Sequence, residues 1–373
     1  MKKVAFVTYA AAPYRMKQFE EYSKYAEIQA YYISEKMVDR SWDLSGERNF
    51  SEEKLPIAFK IKGMGAIHTN LKKIVKANDL IIIGGYSSAT YILLSILCKW
   101  YKKPSVILLD GISPGKLKES GTGLKNLIKK FVLHNSAAVF GNGTVAKRYF
   151  SEVLNYQKKV YPQILTSNIE VIMSYEAEKE QLRKQLCAKY AIDPNKIIIS
   201  YSGRLLAQKN VKDIIDALVK LDREDIHFII FGGGTAEQEK DLVEYGISNN
   251  ISMSITGFIE EQSLLYKHYY MSDLFILPSI NDAWGLVVNE AMAAKLPIIV
   301  SDGCGCSLDL VKEGENGYVY KGGDSEELAK KIGIILSNKD ILSMGESSYE
   351  IIQQWTFKNS AKSFNRMVTE LVK

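Results

Sequence analysis

The residues best suited to chemistry in this 373-residue chain cluster in one stretch, 277–293. It reads as a strand, a glycine-containing loop and then a helix. Asp282 stands before the helix, and Glu290 lies about one and a half turns inside it. Gly285 lets the backbone turn so that the amides of Leu286 and Val287 point outward at the helix start. Such a start offers unpaired N–H donors and a dipole that favours an anion by about 0.3–1 kcal/mol per charge. An acid at Glu290, among Val287, Val288, Ala291 and Met292, is costly to bury unless polar partners meet it.

A second constellation, Gly203-Arg204-Leu205 with Lys209, follows an apolar run at 197–201. Two cations at the carboxyl end of a strand can face two phosphate groups. Charge-assisted hydrogen bonds of roughly 1.5–3 kcal/mol each hold a diphosphate and stabilise it as a leaving group.

These residues need strands and helices to hold them. Short apolar runs at 4–9, 28–33, 80–83, 106–109 and 138–140 alternate with longer amphipathic stretches. A second series follows at 197–201, 228–231, 252–256, 274–277, 298–300 and 318–320. Most runs are continuous rather than alternating, the mark of parallel strands covered on both faces. The expected class is α/β, with two doubly wound Rossmann-like domains facing across a cleft. The boundary is expected between 162 and 194, with a charged helix at 175–190 opening the second half. The domains are set at 1–168 and 169–352, with a helical end at 353–373 packing back on the first domain. That end belongs to a helical stretch, 349–373, with Trp355, Phe357, Phe364 and Leu371.

In open parallel sheets, ligands bind beyond the carboxyl ends of the strands. The residues there include Tyr14 and Arg15, Tyr86, Asp110, Gly203 and Arg204, Gly232-Gly233-Gly234, and Gly257-Phe258. Glycine suits close approach of a ligand to the backbone, and equally a tight turn.

The ordered set Gly203-Arg204-Leu205, Lys209-Asn210, Phe231-Gly232-Gly233-Gly234, Thr256-Gly257-Phe258 and Asp282-x7-Glu290 resembles the retaining nucleotide-sugar glycosyltransferases of glycosyltransferase family 4. These are also called glycosyltransferase group 1 and have the GT-B fold. The run from Glu290 through Ala291-Met292-Ala293 to Asp302 is similar too. The likeness covers residues 197–320 and is loose over 1–190.

The resemblance implies roles by position. Arg204 and Lys209 would bind the donor diphosphate, and Leu286 and Val287 would present amides to it. Glu290 would accept hydrogen bonds from ribose hydroxyls, and Asp282 would face the sugar. Phe258 and Ile259 would lie by the base, and Gly203, Gly232 to Gly234 and Gly285 would let the backbone come close. The catalytic set is then Asp282, Arg204, Lys209, Glu290 and Asp110. Tyr14, Arg15, Tyr86 and Asp110 are candidates for acceptor contact. Two positions depart from the family: Asp282 stands where Glu is usual, and Asp110 where many members have His. The implied reaction is transfer of a hexose from a nucleotide sugar, a UDP-sugar foremost, to a lipid-linked glycan acceptor in cell-surface polysaccharide synthesis. Front-face transfer fits better than double displacement, because Asp282 is placed beside the sugar. No cofactor or metal is expected, since the cations do the work of a divalent ion. A nucleotide-sugar epimerase or hydrolase on the same fold, and a non-catalytic sugar-nucleotide binder, are the competing readings.

The formal net charge of +5 hides an uneven distribution. Residues 1–170 hold 26 basic and 14 acidic residues, giving +12, whereas 171–373 hold 22 and 29, giving −7. Nucleic acid is set aside, because no recognition motif accompanies the charge. An anionic membrane fits the basic stretches around Trp100 and around Leu124, Leu127, Ile128, Phe131 and Val132. The latter face equally suits a core contact. Lys2 and Lys3 before 4–7 read as the entry to a first strand rather than a signal peptide. Four cysteines without metal-ligand spacing point to a reducing compartment, the cytoplasm, with contact at the inner membrane face.

Overall fold

The computed structural model describes residues 1–34, 48–119, 122–337 and 341–372. The chain forms two compact units. The first comprises Met1–Ile112, Lys116–Leu165 and Phe357–Lys373, and the second Ser113–Gly115 and Thr166–Thr356.

The first unit runs β1 (Lys3–Thr8), α1 (Pro13–Tyr22), β2 (Glu27–Tyr32), β3 (Ser51–Lys54), β4 (Ile57–Ile61), β5 (Gly65–His68), α2 (Leu71–Ala77) and β6 (Leu80–Ile83). It continues with α3 (Ala89–Trp100), β7 (Ser105–Leu109), α4 (Leu124–Asn135), β8 (Ala138–Gly141), α5 (Gly143–Arg148) and β9 (Val160–Pro162). Seven strands form a parallel sheet in the order β3-β2-β1-β6-β7-β8-β9. The reversal beside β1 is the switch point of a doubly wound sheet. β6 is Leu-Ile-Ile-Ile and fully buried, because helices cover both faces. β4 and β5 form a separate antiparallel hairpin.

The second unit runs α6 (Ile169–Met173), α7 (Lys179–Lys189), β10 (Ile197–Ser202), α8 (Lys212–Leu221), β11 (Ile226–Phe231), α9 (Ala236–Ser248), β12 (Met253–Ile255) and α10 (Gln262–Tyr269). Then come β13 (Leu274–Leu277), α11 (Leu286–Ala293), β14 (Ile298–Ser301), α12 (Ser307–Leu310), β15 (Gly317–Tyr320), α13 (Ser325–Ser337) and α14 (Ile341–Ile352). Its sheet is parallel, in the order β12-β11-β10-β13-β14-β15. β10 and β13 are neighbours at the switch point, so the loops after them meet.

The last helix, α15 (Phe357–Leu371), returns to the first unit. Tyr22 and Phe364 stack there at 4.4 Å, beside Phe6 and Phe19. Each such ring contributes about 1.5–3 kcal/mol by burial.

Several expectations need correction. The stretch 349–373 is not one helix, because α14 ends at Ile352 and Trp355 turns to stack on Trp284 at 4.9 Å. Lys373 lies outside the described residues. The charged helix begins at Lys179, after a short 3₁₀ turn at Glu176–Glu178. β3, β4, β5 and β9 have no counterpart among the expected strands. The face of α4 is also divided: Val132 is buried, whereas Leu124, Leu127 and Phe131 are exposed.

Candidate active site

In the second unit, β10 ends at Ser202, and the chain turns through Gly203 and Arg204 to Lys209. Tyr201 anchors that turn by donating its hydroxyl to the Arg204 carbonyl at 2.9 Å. Gly232 is required by its neighbour: a Cβ there would sit 2.3 Å from the Gly203 carbonyl oxygen. The glycines of 232–234 thus let two strand-end loops touch. The Gly234 amide is already bonded to Glu239 at 3.0 Å.

After β13, the loop bends back to the same place. The Ile280 amide bonds the Gln208 carbonyl at 2.9 Å, which ties it to the Lys209 turn. Lys209 Nζ donates to Asp282 Oδ2 at 2.5 Å, and both side chains are largely shielded from water. Asp282 Oδ1 accepts the Trp284 amide at 3.2 Å, a local turn that aims the carboxylate. The Trp284 indole is buried and donates to Asn289. Asp282 is also pinned through its backbone to Gly303 and Gly305. Burial raises the Tyr201 pKa, and both Asp282 and Arg204 act on that hydroxyl. Arg204, Lys209 and Asp282 therefore share one neighbourhood.

Gly285 precedes α11 with φ +97 and carries no side-chain cap. The amides of Leu286 and Val287 are the first of that helix, where no preceding turn supplies acceptors. No acid occupies the first turn. An anion is favoured there.

Glu290 is buried on α11, and Tyr269 of α10 donates to its Oε2 at 2.8 Å. Burial pushes the Glu290 carboxyl up to about 7, and the Tyr269 bond opposes that rise. Tyr269 lay outside the sequence-based candidates. The available signal was a phenol on the buried face of a helix that also holds Tyr266. Phe258 projects outward, with 67% of its surface exposed, beside Gly257, which pairs with Gly232. Ile259 is half-buried.

Tyr14, Arg15 and Asp110 come together in the first unit. Asp110 accepts from Tyr14 at 2.8 Å, from Gln163 at 3.1 Å and from the buried Arg15 guanidinium. Burial would raise its pKa, but Arg15, Gln163 and Tyr14 outweigh that and hold it below the usual carboxylate value. Arg15 also bonds Gln18 at 2.5 Å. Tyr86 is not in this cluster: it lies by Tyr149, under the Lys129 ammonium. Among the described residues, no group of three His, Cys, Asp or Glu could hold a metal ion.

Comparison with known proteins gives this geometry a setting. Residues 183–352 match the family model described as glycosyl transferases group 1. Alpha-D-kanosaminyltransferase of Streptomyces kanamyceticus is 28% identical over 170 residues, 44% of this chain and 43% of that protein. Alpha-monoglucosyldiacylglycerol synthase of Acholeplasma laidlawii is 27% identical over 203 residues, 53% and 49%. The chain thus spans about half the length of these curated relatives, or less. Anabaena HepE, solved in complex with UDP, superposes with a TM-score of 0.74 at 17% identity, covering 99% of this chain and 100% of HepE. Residues 183–352 are thus similar to glycosyl transferases group 1, in a chain with the two doubly wound Rossmann-like domains of the GT-B fold.

Proposed function

We propose that the protein is a retaining, metal-independent glycosyltransferase of family 4 that moves a hexose from a UDP-sugar to a glycan acceptor. The observation that carries this reading is the grouping of Arg204, Lys209 and Asp282 at the β10 and β13 strand ends, close to an uncapped helix start. The matched family model and the UDP bound by HepE support the donor class.

In this reading, the second unit holds the donor. A diphosphate takes the place of Asp282 on Lys209, with Arg204 and the Leu286 and Val287 amides on its other oxygens. The displaced Asp282 is then free to accept from a sugar hydroxyl. Glu290 takes the ribose hydroxyls, and Phe258 and Ile259 lie along the base. Charge that develops on the leaving diphosphate is drawn onto Arg204, Lys209 and the helix start. A departing phosphate oxygen takes the acceptor proton as the acceptor oxygen bonds the anomeric carbon on the same face. The Trp284 amide still holds Asp282 Oδ1 after that displacement, and the other oxygen takes a sugar hydroxyl, which favours this course over attack by its carboxylate.

The first unit holds the acceptor, which we propose to be lipid-linked and presented at the cytoplasmic face of an anionic membrane. Residues 57–135 contain 13 Lys and no Arg, against only Asp79, Asp110 and Glu119. Helices α3 and α4, which cover one sheet face, expose Ile96 and Trp100, and Leu124, Leu127 and Phe131. Apolar residues among lysines suit an anionic bilayer. Among the described residues, no helix is long and apolar enough to cross a membrane. Asp110 then serves as a positioning group that holds Arg15 and Tyr14 rather than as a proton acceptor, since three donors already occupy it.

The test is sugar release from a panel of nucleotide sugars with and without glycan acceptors. Release that depends on acceptor, with the anomeric configuration kept in the product, is expected. Release without acceptor, or epimerised donor, overturns the transfer reading.

A further inference from the structure

The acid of α11 is held by a phenol, with a serine hydroxyl behind it. Tyr269 donates to Glu290 Oε2 at 2.8 Å, and the Ser202 side chain lies close enough to act on the Tyr269 phenol. Ser202 is the last residue of β10, immediately before Gly203 and Arg204. All three side chains are buried, with Ser202 4%, Tyr269 0% and Glu290 6% exposed. The Tyr269 ring cannot swing away, because Phe231 and Phe275 meet it edge-on at 5.8 and 5.9 Å. Glu290 Oε1, by contrast, has no hydrogen-bond partner among the described residues and is not sealed from solvent.

We infer that Tyr269, backed by Ser202, is the positioning residue of Glu290: it fixes one carboxylate oxygen and leaves the other for the vicinal diol of a ribonucleoside diphosphate. The inference rests on the proposed donor-binding role of the second unit and adds to it. A carboxylate on a glutamate stem has three rotatable bonds. One rigid donor at Oε2 sets the carboxylate plane, so Oε1 meets a ligand without first being ordered. The relay also links the two parts of the proposed donor site. One end abuts the loop of Arg204, and the other is the acid itself.

The relay makes ligand affinity depend on pH. The titratable groups that act on Glu290 are Tyr269 and Tyr266, both of α10. Glu346 and Glu350 of α14 and Glu170 of α6 are at the surface, and β13 and β14 carry no titratable side chain. Burial pushes Glu290 up to about 7, and the phenol holds it there by favouring the carboxylate. Removal of the phenol raises the value further, so that Glu290 is neutral at pH 7.

The experiment is calorimetric titration of UDP into the full chain between pH 6 and pH 9, for wild type, Tyr269→Phe and Ser202→Ala. For wild type, affinity falls as pH drops through about 7. For Tyr269→Phe, the fall moves to higher pH, binding at pH 7 is about tenfold weaker, and affinity recovers toward wild type at pH 9. Ser202→Ala shifts the profile the same way by less, and it carries the test if the phenylalanine variant fails to fold. UDP lacking both ribose hydroxyls binds all three alike. An unchanged profile, or a loss that persists with the diol-free nucleotide, overturns the inference. A wild type that binds no nucleoside diphosphate overturns the donor reading instead. Infrared titration of the Glu290 carboxyl, which needs no ligand, separates the two failures: a Tyr269→Phe midpoint equal to wild type contradicts the positioning role by itself.

Discussion

Two acids of this protein, one half-buried and one buried, are close to opposites. Asp110, at the end of β7, receives Tyr14, Gln163 and Arg15. Among the described residues, Glu290, on α11, receives only Tyr269. The first is held below the usual carboxylate value by its partners, and the second is pushed up to about 7 by burial. A carboxylate with three donors is largely an internal tie, since little remains for a ligand to supply. A carboxylate with one partner is unfinished in polar terms, and a ligand's hydroxyls complete it. Acids near the carboxyl ends of the strands therefore cannot be ranked by residue type alone. Their hydrogen-bond tally separates structure from binding.

The contrast can be broken most strongly with pH. A raised acid binds its proton in the folded state when the unfolded chain has lost it. Glu290 thus lowers stability progressively as pH rises from about 4.5 to about 7. Glu290→Gln removes that slope. Its melting temperature, measured without ligand, is expected to gain on wild type across this interval and then level off, by up to about 3 kcal/mol in stability. Asp110 has the opposite sign. Its contribution is present above the unfolded carboxylate value and is lost as pH falls through the lower folded value. Asp110→Asn is therefore expected to lose stability against wild type at neutral pH and to converge with it in acid. A Glu290→Gln curve parallel to wild type would remove the distinction.

Arg15→Ala comes next in size. Loss of one partner of a fully buried pair costs about 3–5 kcal/mol. Asp110 keeps some access to water, with 40% of its side chain exposed, so about 2 kcal/mol is expected in denaturant unfolding of this variant. Nucleotide affinity should not change. Lys209→Ala and Glu290→Ala should do the reverse, with folding intact and donor use weakened at least about tenfold, the loss of one charge-assisted contact. Wild-type turnover in either variant contradicts the site. The smallest effect is expected from chelation: EDTA should leave turnover unchanged, and a loss restored by a divalent ion would refute metal independence.

The central strands were legible because burial on both faces writes a continuous apolar run, as in β6. β3 was not, since Ser51-Glu52-Glu53-Lys54 is an exposed edge with no apolar side chain, paired to β2 through backbone and polar contacts. The break after α14 was hidden because its cause, the Trp284–Trp355 stack, joins residues far apart in the chain. The same holds at the site. Arg204, Lys209, Asp282 and Glu290 were marked by residue type and spacing. The bond from Lys209 to Asp282 and the relay through Tyr269 arise only when loops and helices pack. Local periodicity carries no trace of them.

The most direct test of the account is calorimetric titration of UDP and UDP-glucose into wild type and Lys209→Ala at fixed salt and pH. One site per chain is expected in wild type, with binding at least about tenfold weaker in the variant. Equal affinity in the two proteins, or heat from neither nucleotide in wild type, would contradict it.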